Sequence, residues 1–349
     1  MRYSIFLPAL IFVFCHCENP QDQTLVLNRP AALRDAPGPE GRELQLLEKG
    51  QKVTDLGEVS NFETQFDLEG TTYQSPWIKV RASGQEAGWV LAAAAKPVDA
   101  DHVEAAFWLV GSKIQCYFGK SLKVRYQRYL ASGQPAEASD FAVAYREAVA
   151  LRDTFMHLLA RRAEPNEAAF RPDFSWLETV LPGFVFQYIA EDRRPYLFAD
   201  YAYWRERALK TGGDEDDVFV ETCLTAFAAD SIESFFPAWK FQYSDYEAAS
   251  QLGAGVHLKM FRQIEKALQA GPLFQPELLE FKAALLEDIL SADTRYWQPR
   301  DRIVQELGQI LAAGFSFLDQ RDLIALEARL KVLENPEANA VEVDLRSGK

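Results

Sequence analysis

The residues able to do chemistry are few and scattered. Asp214-Glu215-Asp216-Asp217, followed by Glu221, is a dense group of carboxylates. Asp214 and Asp217 are three apart and Asp217 and Glu221 four apart, so on a helix they share a face and could hold a hard cation through oxygen ligands. The run also follows Gly212-Gly213 and opens a helical pattern, where negative charge is favoured by the helix dipole and the unpaired amides. It lacks the Asp-x-Asp-x-Asp-Gly ladder of a calcium loop, so the start of a helix is the stronger reading. The four histidines, His16, His102, His157 and His257, have no second ligand at zinc spacing. His157 and His257 fall mid-helix and read as ordinary helix residues. Cys116 and Cys223 have no local signature of a nucleophile. The chain has no Gly-x-Ser-x-Gly elbow, phosphate loop or dinucleotide fingerprint. No cofactor is expected.

These residues must be positioned mainly by helices. From Asp99 onward the apolar period is about 3.6. Helical patterns cover 103–118, 122–130, 139–162, 198–210, 218–228, 246–269, 276–290, 302–313 and 320–333, with Gly and Pro between them. About nine or ten helices in a compact array are predicted, without the fixed repeat of a solenoid. At 349 residues the chain exceeds the usual span of one core, so two domains are expected. The formal charge of −14 sits mainly in residues 99–349, where 28 Lys/Arg face 39 Asp/Glu. Such acidity argues against nucleic acid, and against adhesion to anionic lipid through a basic patch. Two aromatic clusters, Phe184 to Trp204 and Phe235 to Tyr246, read as core. A groove for glycan or peptide is the alternative, with Tyr201, Trp204 and Arg205 its first candidates.

The first hundred residues differ. Trp77-Ile78-Lys79-Val80-Arg81 alternates, Ser83-Gly84 turns, and Gly88-Trp89-Val90 starts another strand. Lys49-Gly50 and Pro37-Gly38-Pro39 are further turns, and Phe62 to Leu68 alternates as one arm of an extended hairpin. Strands this short and close predict a small antiparallel barrel. The glycine before Trp89 implies a bulge or a close backbone approach. Leu33-Arg34 with Ala36-Pro37, Leu47 with Lys49-Gly50 and Val53, Trp77 with Lys79-Val80, and Gly88-Trp89-Val90 together resemble the bacterial SH3-like (SH3b) domain over residues 24–98. Val59 to Ser75 is longer than that family's compact pattern. The resemblance implies a binding or spacer module of the cell envelope. Trp77 and Trp89 could stack on a sugar or peptide, although tryptophans at such positions are more often packing.

The N-terminus reads as an address. Arg2 precedes an apolar run, Ile5 to Phe14, too short to span a bilayer as a helix, and polar sequence begins after Cys17. The segment resembles a bacterial lipoprotein signal peptide, which implies acylation at Cys17, with Cys15 as the alternative. Phe14 and His16, which precede them, are larger than the residue that family prefers. Export would permit a bridge between Cys116 and Cys223; two buried thiols are the alternative.

Glu233-Ser234-Phe235-Phe236-Pro237, with Gly253-Ala254-Gly255 downstream, resembles the lytic transglycosylases, helical enzymes in which one glutamate acts as acid and base on peptidoglycan. The glycine step comes late, and Val256-His257-Leu258 follows it where that family has Leu-Met-Gln. The resemblance implies Glu233 as the catalytic acid.

The expected architecture is therefore a signal peptide (1–17), a tether (18–23), an all-β SH3-like barrel (24–98) and an all-α domain (99–349). The expected function is non-catalytic binding in the bacterial envelope, to a wall component, a peptide or another envelope protein, with membrane contact only through the lipid anchor. A peptidoglycan-active enzyme using Glu233 is the alternative.

Overall fold

A computed structural model describes residues 23–68, 71–84, 86–162, 176–177, 180–189, 194–244 and 247–347. Cys15 and Cys17 lie outside the described residues. The chain divides into two compact units, residues 1–124 and 125–349.

In the first unit seven strands form one antiparallel sheet. They are β1 (Thr24–Leu27), β2 (Ala31–Arg34), β3 (Glu43–Leu47), β4 (Lys52–Leu68), β5 (Thr71–Ala82), β6 (Ala87–Leu91) and β7 (Ala95–Pro97). The order is β3-β2-β6-β5-β4-β1-β7, so β3 and β7 are edges and the sheet curls as a half-barrel. Curling follows from the long β4–β5 hairpin, whose register shifts between Asp55 and Val59 and again between Val59 and Glu63. Such irregularities bend a strand and increase its twist. The hairpin is the extended one read from the alternation at Phe62 to Leu68. Leu25, Leu27, Leu33, Leu47, Val53, Ile78, Val80 and Val90 fill the inner face. At Gly88, a Cβ would meet Leu33 Cγ at 2.7 Å and the Arg34 carbonyl oxygen at 2.8 Å, so β6 approaches β2 more closely than any other residue permits.

Helix α1 (His102–Phe118) belongs to this unit, whereas the sequence pattern places the boundary at residue 98. Asp101 and Glu104 form a capping box at its start. Trp108 enters the inner core of the sheet. Lys113 reaches β4 and forms an ion pair with Glu63 at 2.6 Å, both side chains nearly excluded from water. Tyr117 Oη donates to the other Glu63 oxygen at 2.5 Å, and Lys113 Nζ also donates to the Gln74 carbonyl at 3.0 Å. An unpaired charge at this depth would cost several kcal/mol, so each partner requires the other. The helical period at 103–118 is visible in the sequence; the side of the boundary on which that helix packs is not.

Helix α2 (Lys120–Ala131) crosses the division between the units. The second unit is mainly helical: α3 (Ala138–Arg162), α4 (Tyr201–Ala208), α5 (Glu215–Ala226), α6 (Val256–Ala270), α7 (Gln275–Leu290), α8 (Arg300–Ala313) and α9 (Gln320–Glu334). Two hairpins interrupt it, β8 (Phe184–Ile189) with β9 (Arg194–Ala199) and β10 (Lys240–Gln242) with β11 (Ala248–Ser250). The all-α expectation is corrected at these points: of the residues read as helix, 198–199 end β9 and 248–250 form β11. The Phe184-Val185-Phe186-Gln187-Tyr188-Ile189 segment is β-branched and aromatic, which favours strand over helix. The core is aromatic. Trp204 packs edge-on against Tyr145 at 5.0 Å and Phe141 at 5.7 Å, and Phe219 stacks on Phe274 at 4.1 Å. No described helix is long and apolar enough to cross a membrane.

Gly88→Ala is expected to lower the stability of the chain by about 1–3 kcal/mol, because the added methyl must displace the β2 backbone. Urea unfolding of the variant checks this; unchanged stability would mean that the strands can part without cost.

Candidate functional site

Glu233 lines a cavity of about 490 Å³ in the second unit. Helix α3 contributes Tyr145, Arg146 and Arg152, α4 contributes Tyr201, and α7 contributes Glu277 and Glu280. The Glu233 side chain is 28% exposed and one oxygen of its carboxylate is held by two donors. Arg152 Nη1 lies 2.7 Å from Oε2, and the Ala199 amide at the end of β9 donates to the same oxygen at 3.0 Å. The Glu233 amide returns a hydrogen bond to the Ala199 carbonyl at 2.8 Å. Arg152 also pairs with Asp153 at 2.9 Å and lies over the Phe184 ring at 5.5 Å. Glu233 thus ties the chain after α5 to α3 and β9, whereas glycosidic acid catalysis uses a glutamate held in an apolar wall.

Burial and then neighbouring charges push the lining residues Tyr145 and Tyr201, and the buried Cys223, well above their ordinary ionisation ranges. For Cys223 the second cause is the negative charge of Glu233. A thiol so held stays protonated and is a poor nucleophile. Cys116 is also buried, and no bridge links the two.

Gly253-Ala254-Gly255 serves α6. The amides of Gly253 and Gly255 donate to Glu306 Oε2 at 2.5 and 2.8 Å, and the Leu258 amide donates to Oε1 at 2.9 Å. A carboxylate from α8 therefore satisfies the open amides at the N-terminus of α6. The glycine step does not line the Glu233 cavity.

A second polar centre surrounds Asp288 on α7. Ser250 Oγ donates to Asp288 Oδ2 at 2.5 Å, His257 Nε2 lies 2.8 Å from the same oxygen, and Lys240 Nζ lies 2.5 Å from Oδ1. Asp288 and His257 have no exposed side-chain surface. The group contains a serine, a histidine and an aspartate but not the geometry of a triad. There the nucleophile bonds to the histidine, whereas here serine and histidine both bond to the aspartate. Burial alone would raise the Asp288 pKa, but the hydrogen bond and charge of His257, followed by those of Lys240, hold it below the usual carboxylate range. A second cavity of about 510 Å³ opens onto Lys240 and Asp288.

The acidic run opens α5, and its members are dispersed among structural partners. Glu215 Oε2 accepts from the Leu273 amide at 3.0 Å, and buried Asp216 accepts from Thr211 Oγ1 at 2.7 Å. Glu221 pairs with Arg205 at 3.0 Å. Asp214 precedes the helix without a side-chain capping bond, and burial followed by its acidic neighbours raises the Asp217 pKa. Among the described residues no cluster of three His, Cys, Asp or Glu could hold a metal ion.

Tyr201 and Trp204 are buried and Arg205 is exposed, so the three do not form one surface cluster. Trp204 Nε1 donates to the Gly183 carbonyl at 3.0 Å. In the first unit Trp77 is only 5% exposed and donates from Nε1 to Thr64 Oγ1 at 2.8 Å. Its edge joins Arg29, Arg34 and Phe66 in a cleft of about 220 Å³. Trp89 is half-buried, with Lys79 Nζ 5.8 Å from its ring centroid.

Sequence reasoning missed Arg152, Asp288 and Glu306. Each is an ordinary charged residue in a helical pattern, and the partner that gives it meaning lies at least 31 positions away. The only signal available was that Asp288 and Glu306 fall on the apolar side of their helices. Compared with family models, curated proteins and solved structures, the chain gives no match.

Two outcomes follow from this geometry. Because the folded pKa of Asp288 is lowered, the stability it contributes is fully present above about pH 4 and is lost as pH falls through the folded value. Asp288→Asn should cost roughly 3 kcal/mol at neutral pH. It should also flatten the acid limb of stability below about pH 4, measured by urea unfolding across that range. Cys223 should resist iodoacetamide in the folded chain and react once urea unfolds it, read by site-resolved mass spectrometry; rapid alkylation of the native protein would contradict the buried thiol.

Proposed function

We propose that the protein is an exported, lipid-tethered binding protein of the bacterial cell envelope, with an SH3-like β unit as its recognition module and no bond-breaking chemistry of its own. The observation that carries this reading is the engagement of Glu233: Arg152 and the Ala199 amide both bind its Oε2 in a joint between α3, β9 and the chain after α5. The curled antiparallel sheet built from the four SH3b-like fragments supports the assignment of the module. So does the cleft beside Trp77, where Arg29 lies over Phe66 at 5.9 Å and has no acidic partner among the described residues. A cation beside an aromatic wall suits a ligand with both a carboxylate and a flat or apolar face, as wall peptides present. Cys17 is the proposed site of the lipid anchor.

The alternative, a peptidoglycan-active enzyme using Glu233, draws support from the position of that residue at the edge of an open cavity with aromatic walls. Purified protein incubated with sacculi separates the two. Binding without release of soluble fragments is expected, together with a several-fold loss of binding in Arg29→Ala or Trp89→Ala variants that keep the circular dichroism of the wild type. Release of fragments that Glu233→Gln abolishes would overturn the binding assignment. Trp77→Ala is the poorer probe, because its indole is part of the packing.

A further inference from the structure

The two cavities of the second unit share Pro237, Trp239 and Ala284 as lining residues, so they adjoin along one face of α7 and are together called a trough. Glu277, Glu280, Phe281, Ala284, Glu287 and Asp288 form that face, at spacings of three, one, three, three and one. At about 100° per residue they fall within one stripe. The opposite wall is the segment after Glu233, with Phe235 52% exposed and Phe236 and Pro237 half-buried, while Trp239 is buried beneath it against Phe281.

The charges along the trough do not balance. Its cations are Arg146, Arg152, Lys240 and Arg295, and each is already paired, with Glu277, Glu233, Asp288 and Glu342 respectively. Seven carboxylates line the trough against these four cations. Glu280, Glu287 and Asp293 are exposed, and their carboxylates make no ion pair or hydrogen bond among the described residues. An open groove with one aromatic wall and uncompensated negative charge along the other is complementary to a cationic chain with apolar surface between its charges.

The spacing narrows the class of ligand. Glu280 and Glu287 are seven residues apart on α7, about 10.5 Å along the axis. In a polyproline II chain, residues three apart lie on the same side and about 9.3 Å apart. In an extended β-strand, residues on the same side lie about 6.6 or 13.2 Å apart, and residues three apart face opposite ways. Proline-rich segments also dock against aromatic walls at low entropic cost, being already extended.

We propose that this trough is a docking site for a basic, proline-rich peptide segment in polyproline II conformation, with cationic side chains three residues apart paired to Glu280 and Glu287 and its prolines against Phe235 and Phe236. The site is separate from the β-unit cleft of the proposed function, and binding here is independent of binding to sacculi.

The test is fluorescence anisotropy of the full chain, at low salt, with a labelled Lys-Pro-Pro-Lys-Pro-Pro-Lys peptide. Saturable binding is expected. It should weaken as salt rises, weaken roughly three-fold in each of Glu280→Gln and Glu287→Gln and roughly ten-fold in the double variant, and remain unchanged in Glu334→Gln. Ala284→Phe, which fills the floor without changing charge, should also weaken it. A peptide with the same number of lysines at every second position, separated by threonine, should bind more weakly. Lack of saturable binding would overturn the proposal. So would equal binding of the two lysine spacings, or binding that survives in the double variant. Each of these results is readable whether or not the protein binds sacculi.

Discussion

A carboxylate removed from water must find donors, and this protein uses that requirement at nearly every joint. Glu63 is excluded from solvent because Lys113 and Tyr117 reach it from α1. Glu306 is buried because three amides at the start of α6 converge on it. Asp288 is buried with His257, Ser250 and Lys240 around it. Glu233, only part-buried, is held by Arg152 and a strand-end amide. In each case elements far apart in sequence meet at one acidic side chain. Pairing at such depth adds little net stability over an apolar substitute, but removing one partner leaves an uncompensated charge. The joints therefore specify which surfaces meet more than they add to stability.

The same requirement explains why so much of the candidate chemistry is structural. The acidic run at the start of α5 could have formed a cation site; instead Glu215, Asp216 and Glu221 each hold a neighbouring segment. The glycine step near Glu233 in sequence forms a cradle of amides for a different carboxylate. Among the described residues, Arg29 lies over Phe66 without an acidic partner, and Glu280 and Glu287 stand exposed and unpaired along α7.

Legibility varied with the range of the interaction. Helix α7 was read at 276–290 and is Gln275–Leu290, and α9 was read at 320–333 and is Gln320–Glu334, because the apolar period and the turn residues are both local. The β8–β9 hairpin was not read from the sequence, although the aromatic and β-branched residues Phe184, Val185, Phe186, Tyr188 and Ile189 favour strand. Gly88 was read as a close approach or a bulge, and the structure shows the close approach to β2. His257 was not: a histidine in a helical pattern gives no sign that Asp288, 31 residues later, turns toward it.

The amino-acid sequence by itself determined the two architectures, β-rich and then helical, along with most helix limits and the acidity of the second unit, since period, turn chemistry and charge are properties of neighbouring residues. Tertiary structure decided the partners. It placed α1 with the sheet, locked Glu233 to Arg152, moved the glycine step to Glu306, and left Glu280 and Glu287 unpaired beside an aromatic wall. The reason is physical. The free energy of a charge depends on what surrounds it once water is removed, and those surroundings come from segments that only the folded chain brings together.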